Sequence, residues 1–188
     1  MKRTKPAEKM KIVETLWTAG RPAVEWPTVG LAIGIHAGWL AVTWWHAAIP
    51  LWLLVPLGAW LVAWQSSLQH EVLHGHPTRV RLINDAIGFA PLALWLPYER
   101  YRATHLTHHI NESLTDPLDD PESRYLTPGD WARLSALSRL LLGAQGTLAG
   151  RLLIGPFWAI ATFLAGEAKA IRDGDRAIAR CWALHSAA

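Results

Sequence analysis

The sequence predicts an all-α integral membrane protein: a transmembrane helical hairpin followed by cytoplasmic helices that carry histidines. Three observations predict it. Of the 188 residues, 51% are hydrophobic and only 18% charged, the opposite of a disordered chain. Residues 26–69 contain no Asp, Glu, Lys or Arg, so all 18 basic residues fall before or after that run. Six of the nine histidines form two clusters beyond it. The formal charge of +3 is distributed as a membrane protein distributes it, and no nucleic acid partner is expected. Cys181 stands alone, which excludes a disulfide framework and any Cys-based zinc or iron–sulfur site.

The elements follow in order. The N-terminus is basic, with Lys2, Arg3, Lys5, Lys9 and Lys11, but Pro6 and Glu8 interrupt it. No compact apolar segment with a small-residue cleavage site follows, so no cleaved signal peptide is expected. The uncharged run is about twice the ~20 residues that one helix needs to cross the hydrocarbon. Ala47-Ala48-Ile49-Pro50 supplies a turn, because proline disfavours helix in the residue before it. The expected hairpin, residues 28–69, therefore has spans at 28–48 and 50–69. Trp39, Trp44, Trp45 and Trp52 suit an aromatic belt at its outer end. Basic residues flank both other ends, which places them in the cytoplasm, as expected for a bacterial inner membrane.

Residues 70–139 form the cytoplasmic histidine region of the same single domain, 1–188. Within it, residues 86–98 are uncharged but too few to cross, and Pro91 interrupts them, so an interfacial or re-entrant segment is expected. Residues 140–166 are long and apolar enough to cross, yet Arg151 sits near their middle. A charge there costs ~2.5–3.5 kcal/mol on insertion scales. Crossing would also carry Lys169, Arg172, Arg176 and Arg180 outside, so interfacial helices are expected instead. Residues 177–188 read as the start of an incomplete span.

The first histidine cluster is His70-Glu71-Val72-Leu73-His74-Gly75-His76, and the second is His105-Leu106-Thr107-His108-His109. On a helix, positions i, i+3 and i+4 share a face, which gathers His70 with His74 and His105 with His108 and His109. Neutral imidazole is the commonest metal ligand, and iron and zinc both accept it. Five such rings on two helices predict a metal site. His76 lies between Gly75 and Pro77, which break the helix, so it serves either as a ligand, as a group supporting the ligands, or in facing lipid headgroups. His36 and His46 are isolated and fit local packing; they are too poorly paired for a haem-binding anchor. His185 stands alone.

Two metals compete for this pattern. His70-Glu71-x-x-His74 is a literal H-E-x-x-H, the zinc-protease signature in which the glutamate is the general base. A membrane zinc metalloprotease would leave at least two histidines of the second cluster unused. Iron uses every clustered histidine and is preferred.

An HxxxH box after a transmembrane hairpin, with an HxxHH box about thirty residues on, resembles the membrane fatty acid desaturase superfamily. Arg102-Ala103-Thr104-His105-Leu106-Thr107-His108-His109, then Leu114-Thr115-Asp116-Pro117 and Asp119-Asp120-Pro121-Glu122, is similar to bacterial desaturase-like proteins. The resemblance covers roughly residues 28–185. The boxes are shared with carotenoid or lipid hydroxylases and ketolases. The third box usual in the superfamily does not occur, and His185 is the only histidine after His109.

The resemblance implies a di-iron centre that uses O2 to introduce a double bond into an acyl chain. It implies His70, His74, His76, His105, His108 and His109 as iron ligands, and a ferredoxin- or cytochrome b5-type electron donor. Metal-bound imidazoles usually donate their other N–H to a carboxylate or carbonyl, and Glu71, Asp116 and Asp120 are candidates. For Asp120, before Pro121, a solvated turn is the commoner role. Asn111-Glu112-Ser113 matches a glycosylation sequon and is read as chance on a cytoplasmic loop. Arg79, Arg81, Arg100 and Arg102 flank the boxes; they suit anionic lipid, an acidic donor, or positive-inside topology alone. Without a third box, the 188-residue chain by itself is expected to bind at most one iron and not to turn over.

Overall fold

The computed structural model describes Gly20, residues 22–110, residues 116–120, Ser123 and residues 125–188. The four N-terminal lysines and Arg3, Asn111-Glu112-Ser113, Leu114-Thr115 and Pro121-Glu122 lie outside the described residues. Among the described residues all regular structure is helical, apart from one isolated antiparallel bridge between Val24 and Thr78. They form two compact units, one ending at Leu106 and one beginning at Thr107.

In the first unit, α1 (Trp26–Trp44) starts on Pro27, whose fixed φ and missing N–H suit a first helical turn. A short 3-10 turn (His46–Ala48) leads into α2 (Leu51–Leu73), so the chain reverses where the Ala-Ala-Ile-Pro sequence predicts. Gly38 lets the two helices approach: a Cβ there would lie 3.1 Å from Leu61. Ala32 and Ile35 of α1 pack with Leu68 and Val72 of α2, and Leu92 and Tyr98 complete that core. Elsewhere both helices turn large apolar side chains outward: Trp44 is 80% exposed, Trp52 77% and Trp60 54%. Only α2 is long and apolar enough to cross a membrane, so one of the two expected spans meets that criterion among the described residues.

The end of α2 is fixed by its sequence. Gly75 takes φ +91°, a left-handed conformation that a Cβ disfavours. This lets Gly75 N–H donate to Val72 O at 3.0 Å and His76 N–H to Glu71 O at 3.2 Å. That pair of bonds is a Schellman cap, with His74 as the C-cap residue.

Helix α3 (Arg81–Phe89) is bound to α2 through buried polar side chains. Gln69 Nε2 donates to Gly88 O at 2.8 Å and Gln65 Nε2 to Ala90 O at 3.4 Å. A Cβ on Gly88 would fall 2.6 Å from the Tyr98 ring, so glycine is what permits this approach. Residues 90–97 then run without helix between Pro91 and Pro97, burying Leu92 and Ala93 and exposing Leu94. The uncharged run 86–98 is thus divided between the end of α3, this non-helical stretch and the first residue of α4. Tyr98 opens α4 (Tyr98–Ile110) and donates to Asp85 Oδ1 at 2.9 Å. Burial first, and then this hydrogen bond, push the phenol well above its ordinary value, which keeps it neutral.

The second unit continues α4 and adds α5 (Pro128–Arg133), α6 (Ala136–Ala144), α7 (Leu148–Leu153), α8 (Gly155–Arg172) and α9 (Arg176–Ala187). The apolar stretch 140–166 is divided among three helices. Thr127, Ser135 and Thr147 each cap the following helix with a side-chain oxygen, satisfying N–H groups that a helix start leaves open. Gly150 sits so close to Ala144 that a Cβ would lie 1.9 Å from its carbonyl oxygen. Helices α8 and α9 pair through Trp182 Nε1, which donates to the buried Glu167 Oε2 at 3.0 Å.

Candidate metal centre

Helix α2 carries His70 in its last turn and His74 at its C-cap, so the Schellman turn sets the direction of His74. Helix α4 runs unbroken through both His105 and His109, one turn apart. These four histidines each offer a ring nitrogen within 4.8 Å of all the others. The rings of His70, His74 and His105 meet edge to face, with centroids 4.7–5.2 Å apart. His74 Nε2 and His105 Nε2 are 3.2 Å apart, and His105 is buried at 7% exposure.

This arrangement fits a metal ion. Bonds of about 2.0–2.1 Å from imidazole to metal place neighbouring donors roughly 3 Å apart, close to the His74–His105 separation. The remaining spread, up to 4.8 Å, is within reach of small side-chain rotations. The donor set is all imidazole, which suits iron or zinc and disfavours calcium or magnesium.

The other two clustered histidines stand outside the group of four. His108 Nδ1 lies 2.8 Å from Asp120 Oδ1, and that carboxylate is 1% exposed. Successive helical residues turn by about 100°, so His108 and His109 diverge although each is near His105 in sequence. Asp120 is therefore a buried partner of a histidine, where a solvated turn was the commoner expectation. Asp116 supplies the turn instead, its Oδ1 accepting from Leu118 and Asp119 N–H at 2.8 and 3.0 Å. His76 pairs through Nδ1 with Glu25 and approaches Glu71 Oε2 at 3.9 Å through Nε2. Glu71 Oε1 in turn lies 3.3 Å from His70 Nδ1. Glu25 has no sequence signal, since its partner is 51 residues away. The bridge at Val24–Thr78 and the Glu25 N–H to Pro77 O bond, 2.9 Å, bring it there.

The isolated histidines behave locally, as their spacing predicts. His36 Nδ1 bonds Ala32 O at 2.7 Å and His46 Nδ1 bonds Thr43 O at 2.8 Å. His185 is buried in the second unit, its ring 5.8 Å from that of Trp182.

Comparison with known proteins agrees with the histidine pattern. The family profile described as fatty acid desaturase matches residues 43–188, a range that holds α2 and both histidine boxes. No curated protein and no solved structure matched the chain. With most of its length covered by that profile, this chain belongs to the fatty acid desaturase family.

Proposed function

We propose that this chain is a membrane oxidoreductase of the desaturase type, with one iron ion held by His70, His74, His105 and His109. The observation that carries the proposal is the convergence of four imidazoles from two helices in a chain of this family. Bound iron supplies the O2 chemistry that side chains lack, removing two hydrogens from an alkyl chain. In balance, one –CH2–CH2– unit, one O2, two electrons and two protons give one double bond and two waters. A ferredoxin- or cytochrome b5-type donor supplies the electrons. The chain's own part is placement. The Schellman turn aims His74, and Glu71 holds His70 Nδ1, leaving the other ring nitrogen of His70 for the metal. Asp120 orients His108, and Glu25 orients His76, outside the set of four.

Four imidazoles hold one ion and leave positions for small molecules. Ferrous iron added anaerobically to the 188-residue chain binds at one equivalent, and admission of O2 oxidises it without forming double bonds in added acyl lipid. Double-bond formation under these conditions, with no electron donor added, contradicts the one-iron account, because one ferrous ion carries only one of the two electrons the reaction needs. The zinc-protease reading predicts instead proteolysis that Glu71→Gln abolishes. None is expected in either form of the chain.

The hairpin α1–α2 is proposed to sit in the bilayer, supported by its outward Trp and Leu side chains. The histidines then lie on the cytoplasmic side, and 140–166 lies at the interface. Reporters fused after Arg81 and after Arg180 both read cytoplasmic. A periplasmic reading at Arg180 contradicts the interfacial placement.

A further inference from the structure

Glu25 stands at the N-cap position of α1 but does not cap it: its carboxylate takes none of the open helix N–H groups. It turns instead to the far end of α2. The Val24–Thr78 bridge and the Glu25 N–H to Pro77 O bond, 2.9 Å, join the two backbones there. Buried Asn84 fixes the other side of that joint, its Nδ2 donating to Thr78 O at 2.7 Å and its Oδ1 accepting from Thr78 N–H at 3.0 Å. The Glu25 carboxylate then takes Nδ1 of His76, and both side chains are only 19% exposed. Thr28 Oγ1 adds a long contact to the same carboxylate oxygen, 3.5 Å.

With Glu25 on one ring nitrogen of His76, the other faces Glu71 Oε2 at 3.9 Å, and Glu71 Oε1 lies 3.3 Å from His70 Nδ1. Glu71 therefore spans the two histidines with one oxygen toward each. Its turn toward His70 needs a cause, because successive residues on a helix do not face each other. The Glu71 side chain is also 53% exposed, so packing does not confine it. His76 supplies the cause: it offers a ring nitrogen on the side Glu71 faces, and Glu25 keeps that ring in place. With Glu71 accepting from His70 Nδ1–H, the lone pair of His70 sits on Nε2, the nitrogen left for a metal.

We infer that Glu25 is a positioning residue of the metal centre, acting through His76 and Glu71 on the ring of His70. The metal rests on the function proposed above; the fixed ring does not.

Ring-nitrogen NMR of the metal-free 188-residue chain, isotope-labelled at histidine, tests the path itself, with the His70 signal assigned by His70→Gln. In the unchanged chain His70 is the tautomer protonated at Nδ1, and in Glu25→Ala it becomes a mixture of both. A His70 signal that Glu25→Ala leaves unchanged overturns the inference. Ferrous iron, bound anaerobically in competition with a chelator, tests the consequence. Glu71→Ala and Glu25→Ala each weaken binding by about 10-fold, the lower end of what losing an orienting partner costs. Combined, they match Glu71→Ala alone to within about two-fold, because both act along one path. Losses that multiply place the action of Glu25 elsewhere and overturn the inference. Glu25→Gln, whose amide oxygen still accepts from His76, restores most of the affinity and the single tautomer; a loss as large as that of Glu25→Ala counts against the inference. Helical circular dichroism monitors the fold. If Glu25→Ala loses helicity, His76→Ala breaks the same path at its next residue, and the same two readings apply. A His76→Ala loss that multiplies with that of Glu71→Ala makes His76 a ligand in its own right and overturns the inference. A ring that responds to Glu25→Ala in a chain that takes up no iron contradicts the function proposed above and upholds the path from Glu25 to His70. Iron uptake with an unresponsive ring does the reverse.

Discussion

Replacing His74 and His105 together by alanine lowers iron in the purified chain from about one equivalent to background. Their Nε2 atoms are 3.2 Å apart, and they come from different helices. Losing both halves the donor set and removes the bridge between α2 and α4. Disturbing a group that merely orients a ligand costs about 10–100-fold in metal affinity, so losing two ligands costs at least about 100-fold. His36→Ala is the matched control. His36 bonds its own helix at Ala32 O, and its removal leaves iron unchanged. Helical circular dichroism separates loss of the site from loss of the fold. Full iron in the double variant would place the metal elsewhere.

Gly88→Val is expected to lower both stability and iron content, although Gly88 touches no histidine. A Cβ there meets Tyr98 at 2.6 Å and Val72 at 3.0 Å. The Tyr98 ring cannot easily yield, because it is 3% exposed and tied to Asp85. Overpacking of this kind costs about 1–3 kcal/mol. The strain falls where α3 and the start of α4 pack on α2, so relief would shift His105 away from His74. Gly58→Ala is the contrast: nothing lies within 4 Å of a Cβ there, and helix propensity favours alanine. Thermal unfolding and iron content of the two variants therefore diverge in direction. Equal behaviour would show that the α2–α3 contact does not position the site.

What the sequence could reveal follows from the range of each cue. The i, i+4 spacing of His70 with His74 and of His105 with His109 is local, and both pairs reach the cluster. The same cue also gathered His108, which the structure pairs with Asp120 outside the group of four. It treats i+3 and i+4 as one face, yet the two diverge by about 100°, and the buried Asp120 takes the nearer one. His76 fell on the far side of a turn that Gly75 signalled, but its partner Glu25, 51 residues back, depended on the Val24–Thr78 bridge. The hairpin turn at residues 47–50 was legible because Pro50 disfavours helix in the residue before it. The clamp of Gln65 and Gln69 on the carbonyls of Ala90 and Gly88, at the end of α3, was not. Isolated glutamines in an apolar run carry no sign of what they bond. Thr147, the side-chain cap within residues 140–166, is visible by itself, but the long apolar pattern hides it.

The most direct measurement is X-ray absorption of the purified 188-residue chain, read at the iron and zinc edges. The account predicts about one iron per chain, in a shell of nitrogen and oxygen at roughly 2.0–2.2 Å with imidazole scattering and no sulfur. That iron disappears from the His74→Ala, His105→Ala variant. One equivalent of zinc in place of iron, or an iron shell that the double variant leaves intact, contradicts it.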